Sequence, residues 1–341
     1  MKILITHELF PPDVIGGGEK LVFETANRLA EKGFDIKVLT TGNPNIKSYN
    51  DIRTIRLPIN RYLMNLSFYS IAKLAKDADI IHTNTFNACF PSWLASKVSK
   101  KPVVCTVHGI YLDQWHEMKG RLIGSIFKQI ERLQVNRSYS RIIFSSNFAY
   151  NTGLKLGIPK HRMTIIPPGI NYKKFKVKKK EPFVLFVSRI VKQKGLDYLL
   201  SVASQMKDVN FVIVGKGPEK KRLEKISTSN VSFLDYVSER ELIDLYSRAL
   251  IFCLPSMGEG FGFVIPEAMA SGCAIVSTIP LGYKGFVVKP KNVEMLKKSI
   301  EYLIEHQDVT KKWGKENRKI SEIYNWDEYI NKLIKLYEEL I

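Results

Sequence analysis

The sequence predicts an α/β protein built from two doubly wound, Rossmann-like domains that face a cleft. Short apolar runs alternate with helical patterns along the 341 residues. Most of these runs are continuously apolar, which is typical of parallel strands covered on both faces. A lysine-rich segment, 171–182, separates the runs into two sets, and a chain of this length suits two domains better than one core.

Six predicted strands come before the lysine-rich segment and six follow it. The first set is KILIT (2–6), DIKVLT (35–40), DIIHTN (79–84), PVVCTVH (102–108), RIIFSS (141–146) and MTIIPP (163–168). The second set is FVLFVS (183–188), NFVIVG (210–215), VSFLDY (231–236), LIFCLPS (250–256), AIVST (274–278) and FVVKP (286–290). In such sheets ligands bind at the carboxyl ends of strands, so both carboxyl edges are expected to line one site.

These patterns place the domain boundary near residue 172. The N-terminal domain is then 1–172 and the C-terminal domain 173–325. A final helix, 326–341, has an apolar face that can pack on either domain, including a return to the N-terminal one.

The chain is strongly basic, with 52 Lys and Arg against 33 Asp and Glu and a net charge of +19. Such a balance favours an anionic partner: nucleic acid, a phosphorylated substrate or an anionic membrane surface. No RNP, helix-turn-helix or zinc signature is present, so nucleic acid is not the predicted partner. Four cysteines without a CxxC spacing indicate buried thiols in a reducing compartment.

The start of the chain, MKILITHELF, is predicted to be a strand rather than a signal peptide. The sequence contains no run of 18 apolar residues, so no membrane-spanning helix is predicted. We therefore expect a cytoplasmic protein, with peripheral attachment to the inner face of the membrane as a further option.

A glycine-rich loop follows the first strand. Gly16, Gly17 and Gly18 precede a helix that is predicted to start near Glu19 and to stop at Gly33. Backbone N–H groups in such a loop can approach a phosphate closely, although a plain strand–helix turn is an equally open interpretation. The pattern matches neither GxGxxG nor a P-loop.

Two cations and two histidines follow other strands. Arg189 and Lys194 lie in SRIVKQKG, where they suit a diphosphate, although surface charges remain the alternative. His82 and His108 are placed at strand ends, where a hydrogen-bonded structural role is more common than catalysis. Neither histidine has another potential ligand at the spacing of a metal-binding motif, so no metal site is predicted.

Two carboxylates enclose the flexible stretch EGFGFVIPE. Pro266 suits the first turn of a helix, which places Glu267 at the N-terminal end of that helix. Gly260 and Gly262 free the preceding loop, and Glu259 stands at its start. Carboxylates held in this way accept hydrogen bonds from hydroxyl pairs of a sugar or ribose, while the amides between them can hold a phosphate.

At these residues the chain resembles the retaining glycosyltransferases of glycosyltransferase family 4, which have the GT-B fold. The Glu–seven residues–Glu motif, here EGFGFVIPE, is the most specific mark. GGGE, TVHG, SRIVKQKG, VIVGKGPEKKRL and LYSRALIFCLPS follow the order of the family. The similarity spans about residues 3–305.

The resemblance implies a nucleotide-diphospho-sugar donor, bound mainly by the C-terminal domain, and no metal or other cofactor. Arg189 and Lys194 would hold the leaving diphosphate, Glu267 the ribose and Glu259 the transferred sugar, with His108 near the reacting carbon. The implied catalytic residues are His108, Arg189, Lys194 and Glu259. The implied donor-binding residues are Gly16, Gly17, Arg189, Lys194, Gly215, Glu259, Gly260, Phe261, Gly262 and Glu267.

The implied reaction transfers the sugar to an acceptor hydroxyl with retention, by front-face attack as the diphosphate leaves. The acceptor would be a sugar or a lipid-linked molecule. The chain departs from the family at IPLGYKG (279–285), where a longer loop with a Gly-Gly and a Glu is usual, and at Pro168 and Leu250, where Asn and Asp are common. The short loop motivates one alternative, a non-catalytic partner subunit or sugar-nucleotide binder. A sugar-nucleotide epimerase of the same fold is another.

Residues 119–133, KGRLIGSIFKQIERL, predict an amphipathic helix. Its apolar stripe consists of Leu122, Ile123, Ile126, Phe127, Ile130 and Leu133, and its basic residues are Lys119, Arg121, Lys128 and Arg132. Two interpretations are open: a core-facing helix with a solvated basic face, or a helix that rests on an anionic membrane and delivers a lipid-linked acceptor.

Overall fold

The computed structural model of the chain describes residues 1–14, 16–235 and 237–341. Its contacts divide the chain into two compact units. Unit 1 is Met1–Pro168 together with Asp327–Ile341, and unit 2 is Gly169–Trp326.

Unit 1 contains a sheet with the strand order β3-β4-β2-β1-β5-β6-β7-β8 in the described part of the chain. The strands are β1 (Lys2–Thr6), β2 (Asp35–Thr41), β3 (Ser48–Tyr49), β4 (Ile52–Leu57), β5 (Ile80–Asn84), β6 (Val103–Val107), β7 (Arg141–Phe144) and β8 (Met163–Ile165). All the pairs are parallel except β3 with β4. The order reverses direction between β1 and β5, which marks the switch point of a doubly wound sheet.

Helices cover the unit 1 sheet. They are α1 (Gly17–Glu31), α2 (Phe68–Ala75), α3 (Cys89–Ser99), α4 (Gln114–Lys119), α5 (Arg121–Val135), α6 (Asn147–Lys155) and, after unit 2, α13 (Trp326–Glu338). Short 3-10 turns lie at Arg61–Leu66 and Lys160–Arg162. The inner face of α1 consists of the buried side chains of Leu21, Val22, Thr25, Ala26 and Leu29.

Unit 2 contains a parallel sheet with the order β11-β10-β9-β12-β13-β14 in its described residues. Its strands are β9 (Glu181–Val187), β10 (Asn210–Val214), β11 (Val231–Leu234), β12 (Ala249–Leu254), β13 (Ala274–Ser277) and β14 (Gly285–Val287). The helices are α7 (Leu196–Ala203), α8 (Lys220–Ile226), α9 (Glu239–Arg248), α10 (Val264–Ala270), α11 (Val293–Glu305) and α12 (Gln307–Ile320), with 3-10 turns at Tyr172–Lys174, Lys192–Lys194 and Ser321–Ile323. Here the order reverses between β9 and β12.

The predicted α/β class and the twelve predicted strands are confirmed. The sequence did not reveal β3 and β4, because IRTIRL in β4 alternates apolar residues with arginine and lacks a continuous apolar run. One of those arginines, Arg56, is nevertheless buried, and its guanidinium donates to the backbone carbonyls of Phe10 and Pro11.

Helix α13 packs within unit 1. Tyr329, Ile330, Leu333 and Tyr337 are buried, and the hydroxyl of Tyr329 accepts a hydrogen bond of 3.3 Å from Thr25 on α1. The apolar face of α13 therefore packs against α1 and the sheet of unit 1.

The burial of residues in helix α5 contradicts one of the two interpretations of residues 119–133. Its apolar residues Leu122, Ile123, Ile126, Phe127, Ile130 and Leu133 are exposed, whereas the residues that it buries are Gly124, Glu131, Gln134 and Val135. The interpretation of a core-facing apolar stripe is wrong. No helix in the described part of the chain is both long and apolar enough to cross a membrane.

Candidate functional site

The predicted cations and carboxylates of unit 2 follow β9 and β12, the two strands that meet at its switch point. Lys194 ends the 3-10 turn after β9, and Glu259 lies in the loop after β12. Because β9 and β12 are parallel neighbours, both loops leave the same edge of the sheet. Ligands of doubly wound sheets bind in the crevice outside this edge.

Glycines allow the loops at this edge to pass in direct contact. Gly195 has φ +69°, and a Cβ there would collide with the carbonyl oxygen of Pro255. Gly215 has φ +151°, and a Cβ there would collide with the carbonyl oxygen of Ser188. The structure thus gives Gly215, a predicted donor-binding residue, a packing reason to be glycine.

Hydrogen bonds tie the loops together. The backbone carbonyl of Gln193 accepts from the amide of Met257 at 2.8 Å and from the hydroxyl of Ser256 at 3.0 Å. The hydroxyl of Thr278, after β13, donates to the carbonyl of Ser256 at 2.6 Å. The three loops therefore hold one another in place, which fixes the position of Lys194 relative to the loop that carries Glu259.

Lys194 and Glu259 form an ion pair with each other. The ammonium of Lys194 donates to the carboxylate of Glu259, and the two side chains are only 9% and 16% exposed. Removing charges from water is costly, so each of these groups depends on the other for compensation. The sequence suggested both residues but not their pairing, since they are 65 positions apart.

The glycine-rich loop after Glu259 is shaped by its own packing. Gly262 has φ +74°, and a Cβ there would lie 3.2 Å from Cγ of Glu259. Gly260 is buried. Phe261 is buried too and packs edge-to-face against Phe263 and Tyr324, with ring centroids 5.2 and 5.5 Å apart. The Phe261 side chain therefore anchors the loop to the core of unit 2.

Arg189 is exposed at the end of β9. Within the residues that the structure describes, its guanidinium forms no hydrogen bond or ion pair. An exposed cation thus stands five residues before the paired Lys194, and it is available to an anion from solvent.

Glu267 lies in the first turn of α10, as predicted. Its Oε2 accepts a hydrogen bond of 3.2 Å from the hydroxyl of Tyr246 on α9. Tyr246 is fully buried, and burial raises its pKa well above the usual value, so the tyrosine stays protonated and donates. Sequence reasoning did not single out Tyr246, although it lies in the quoted motif LYSRALIFCLPS.

His108 follows β6 in unit 1, close to the glycine-rich loop after β1. Its amide donates to the Thr85 hydroxyl at 3.1 Å, and a Cβ at Gly18 would lie 3.7 Å from its ring. The residue is partly exposed, but its Nε2 is buried without a hydrogen-bond partner among the described residues. Burial lowers the pKa of His108 to about 3, with a further contribution from the nearby His7 and His82. The ring is therefore neutral at pH 7.

The amide of Gly16 already has a partner. It donates to Oε2 of Glu19 at 2.9 Å, and Glu19 is buried in the first turn of α1. Gly17 is exposed at the start of the helix. A phosphate that approached Gly16 would have to displace a carboxylate, so the predicted phosphate contact has less support at Gly16 than at Gly17.

His82 differs from its predicted position at a strand end. It is the third residue of the five-residue β5 and is buried. One ring nitrogen bonds the hydroxyl of Tyr337 on α13 and the other the hydroxyl of Thr106 on β6. Burial lowers the pKa of His82 to about 4. His82 is thus a structural link, which was the more common of its two predicted roles.

The short segment 279–285 turns inward. Leu281 and Tyr283 are buried, and the Tyr283 hydroxyl donates to the carbonyl of Ser277 at 3.2 Å. Asn317 accepts from the amide of Lys284 at 2.6 Å and donates to its carbonyl at 2.8 Å. Buried side chains and hydrogen bonds therefore hold the connection between β13 and β14 against unit 2.

Among the described residues, no three side chains of His, Cys, Asp or Glu are grouped as metal ligands are.

Two family models match successive parts of the chain. The model described as Glycosyltransferase Family 4 matches residues 15–174, and the model described as Glycosyl transferases group 1 matches residues 170–320. Among curated relatives, an uncharacterized glycosyltransferase of Methanocaldococcus jannaschii is 27% identical over 100% of this chain and 99% of its own. The N,N'-diacetylbacillosaminyl-diphospho-undecaprenol alpha-1,3-N-acetylgalactosaminyltransferase of Campylobacter jejuni is 27% identical over 84% of each chain.

Solved structures share the fold. Sucrose-phosphate synthase from Thermosynechococcus elongatus matches with a TM-score of 0.84 and 22% identity, over 99% of this chain and 98% of that chain. HepE of Anabaena in complex with UDP matches with a TM-score of 0.82 and 20% identity, over 100% of both. The fold is GT-B, and the chain belongs to the group 1, family 4 glycosyltransferases.

Proposed function

We propose that this glycosyltransferase moves a sugar from a nucleotide-diphospho-sugar donor to an acceptor hydroxyl with retention of the anomeric configuration. The observation that carries the proposal is the Lys194–Glu259 pair at the switch point of unit 2, with Arg189 exposed in the loop that leads from β9 to Lys194. A donor of this class offers a diphosphate for the cations and sugar hydroxyls for the carboxylate.

Donor binding exchanges the partners of the ion pair. A diphosphate gives Lys194 a new anion, and Arg189 adds a second cation with a planar, bidentate geometry. Glu259 then accepts hydrogen bonds from hydroxyls of the transferred sugar. Lys194 is nearly buried, so its charge is poorly screened by water and acts strongly on the diphosphate.

Glu267 holds the ribose of the nucleotide in this proposal. Its carboxylate accepts hydrogen bonds from the vicinal hydroxyls, and the buried Tyr246 fixes its orientation. Ribose recognition by an oriented carboxylate follows the general chemistry of nucleotide sites on doubly wound sheets.

The chemistry is stabilisation of the leaving diphosphate as negative charge grows on it. The bond from the anomeric carbon to the diphosphate oxygen breaks, and the acceptor oxygen forms its bond on the same face. The hydroxyl proton leaves with the diphosphate. Arg189 and Lys194 supply two positive charges for this step, so the proposal requires no metal ion.

We further propose that the acceptor is lipid-linked. The Campylobacter jejuni relative is named for a diphospho-undecaprenol acceptor. A phosphatidyl-myo-inositol mannosyltransferase of Mycolicibacterium smegmatis is 27% identical over 78% of this chain and 73% of its own. Both names specify an acceptor that is carried by lipid.

A donor screen tests the proposal. UDP-, GDP- and other nucleotide sugars are compared by thermal shift, where a ligand at about 100 times its dissociation constant adds about 2.7 kcal/mol of stability. The donor that stabilises most is then incubated with short-chain lipid diphosphate and phosphatidylinositol acceptors. We expect release of the nucleoside diphosphate and a product whose anomeric proton coupling matches that of the donor.

Each other outcome has a definite meaning. Inversion at the anomeric carbon would refute the retaining reaction. Strong donor stabilisation without turnover on any acceptor would support the alternative of a sugar-nucleotide binder. No stabilisation by any nucleotide sugar would refute the donor assignment.

A further inference from the structure

The apolar face of helix α5 points away from the core of unit 1. The exposed fraction is 81% for Leu122, 55% for Ile126 and 60% for Leu133, although these residues form the apolar stripe of the helix. Exposing such a stripe to water is unfavourable for each residue. Contiguous exposed apolar surface of this kind marks an interaction site.

Specific contacts hold the helix in this orientation. The carboxylate of Glu131 is buried and accepts from the amides of Tyr111 and Leu112 at 2.9 and 2.7 Å, and from the indole of Trp115 at 3.1 Å. A Cβ at Gly124 would lie 2.6 Å from the backbone of His116. The polar and small face is therefore fastened to the unit, and the apolar face is left outward.

A second exposed apolar segment adjoins the end of α5. The side chain of Gln134 donates to Oδ1 of Asn65 at 3.3 Å, which brings the last turn of α5 against the 3-10 turn Arg61–Leu66. The exposed apolar residues of that turn and of the start of α2 are Tyr62, Leu63, Leu66 and Tyr69. Leu66 and Leu133 are the sequence neighbours of the two bonded residues.

Both segments are basic. Residues 119–137 contain five Lys and Arg, and their one acidic residue, Glu131, is buried. Residues 61–76 contain three Lys and Arg and no Asp or Glu. No carboxylate within the two segments is exposed, but Lys128 and Arg61 pair with Asp113 and Glu8 outside them. The remaining cations, among exposed apolar side chains, complement an anionic lipid surface rather than a neutral one.

We propose that α5 and the exposed residues of 61–69 form one docking surface for an anionic membrane. At 1.5 Å per residue the helix is about 22 Å long, shorter than the ~30 Å hydrocarbon core, so it lies in the interface and does not span it. Its apolar stripe enters the boundary between head groups and acyl chains. The basic residues contact lipid phosphates. This proposal names the setting of the lipid-linked acceptor and to that extent depends on the proposed function.

The test uses co-sedimentation with vesicles, which needs neither donor nor acceptor. We expect binding to vesicles of phosphatidylglycerol and phosphatidylcholine at low salt, weak binding to pure phosphatidylcholine, and release as salt rises. Absence of binding to the anionic vesicles at low salt would overturn the proposal. Equal binding to both vesicle types would overturn the role of the basic residues.

Matched substitutions locate the surface. Ile126→Ser on α5 is compared with Ile226→Ser in unit 2, because the two isoleucines are 55% and 60% exposed. We expect the first to weaken vesicle binding about fivefold and the second to leave it unchanged, with equal thermal stability in solution. Equal effects of both substitutions would overturn the assignment to α5.

Two further variants test the charge and the second segment. Arg121→Glu with Arg132→Glu should abolish the preference for anionic vesicles. Leu66→Ser with Tyr69→Ser should weaken binding by a similar factor to Ile126→Ser. An unchanged affinity of the Leu66 and Tyr69 variant would remove residues 61–69 from the surface.

The same proteins separate this inference from the proposed function. Donor stabilisation in the thermal-shift assay should be identical in wild type and in all these variants. Vesicle binding without any donor stabilisation would refute the donor and preserve the membrane surface. A concentration-dependent dimer that Ile126→Ser dissociates, without vesicle binding, would assign the surface to a second copy of the chain and overturn the membrane.

Discussion

The two units place polar residues at equivalent points of their sheets, but the charges at these points differ. In unit 1 the strands at the switch point lead to His7 and Thr85, and His108 follows the next strand. In unit 2 they lead to the Lys194–Glu259 ion pair and to the exposed Arg189. Carboxylates, those of Glu8 and Glu19, follow β1 in unit 1, whereas the cations Arg189 and Lys194 follow β9 in unit 2.

The first loops of the two sheets show the same contrast. After β1, the carboxylate of Glu19 occupies the amide of Gly16. After β9, the loop ends in a buried lysine. A diphosphate would meet a carboxylate in the first loop and cations in the second, and this contrast supports the proposal that unit 2 binds the donor diphosphate.

The largest expected effect comes from removing the buried cation. Lys194→Ala should lower kcat about 100- to 1,000-fold, because Lys194 stabilises charge that grows on the leaving diphosphate. Lys192→Ala, an exposed lysine of the same 3-10 turn, is the matched control and should change kcat little. Steady-state kinetics of nucleoside diphosphate release provide the measurement.

The Lys194→Ala result depends on the fold being intact, since the substitution leaves Glu259 without its cation. Circular dichroism and thermal melting should therefore accompany the kinetics, with Lys194→Arg as the variant that keeps the charge. A rise in KM at constant kcat would show that Lys194 contributes only to ground-state binding. The contrast between the two edges would then concern affinity and not catalysis.

A smaller effect is expected at the ribose carboxylate. Glu267→Ala should weaken binding of the nucleoside diphosphate by ~1.5–3 kcal/mol, the range for hydrogen bonds to a charged group. Tyr246→Phe, which removes one donor to Glu267, should weaken it by about 1 kcal/mol. Calorimetric titration measures both, with the exposed Glu294→Ala as control. Unchanged affinity in a folded Glu267→Ala protein would remove Glu267 from the site.

Most of the fold could be predicted because its strands are buried on both faces and read as continuous apolar runs. Strand β4 was missed because arginines interrupt its apolar pattern, and one of them, Arg56, donates to backbone carbonyls distant in sequence. Helix α5 was predicted as a helix, but its orientation was not predictable. The orientation depends on the hydrogen bonds of Glu131 and on the close approach at Gly124, which periodicity does not encode.

The candidate site was predictable as a set of residues but not as an arrangement. Glycine loops and strand-end charges are local signals, and they identified Lys194 and Glu259 separately. Their pairing, and the role of Tyr246 beside Glu267, depend on which strands and helices become neighbours. Gly16 and Glu19 are only three residues apart. The sequence nevertheless suggested a phosphate at Gly16, because the amides of a glycine loop can bind either a phosphate or a carboxylate.

The smallest expected effect tests through pH whether unit 1 holds His82 and His108 neutral, in contrast to the ion pair of unit 2. The pKa values of His82 and His108 are lowered by burial to about 4 and about 3, from the usual 6.5. Below pH 6.5 the unfolded chain therefore binds protons that the native state does not, so stability falls as pH decreases from 6.5 toward these values. Between pH 6.5 and 5.5 each histidine should lower the free energy of unfolding by roughly 1 kcal/mol. Urea unfolding at both pH values measures this loss, and His82→Gln, which can still bond Tyr337 and Thr106, should reduce it by the share of one histidine. The same loss in His82→Gln as in the wild type would show that His82 is not held neutral, and the contrast with the ion pair of unit 2 would then rest on His108 alone.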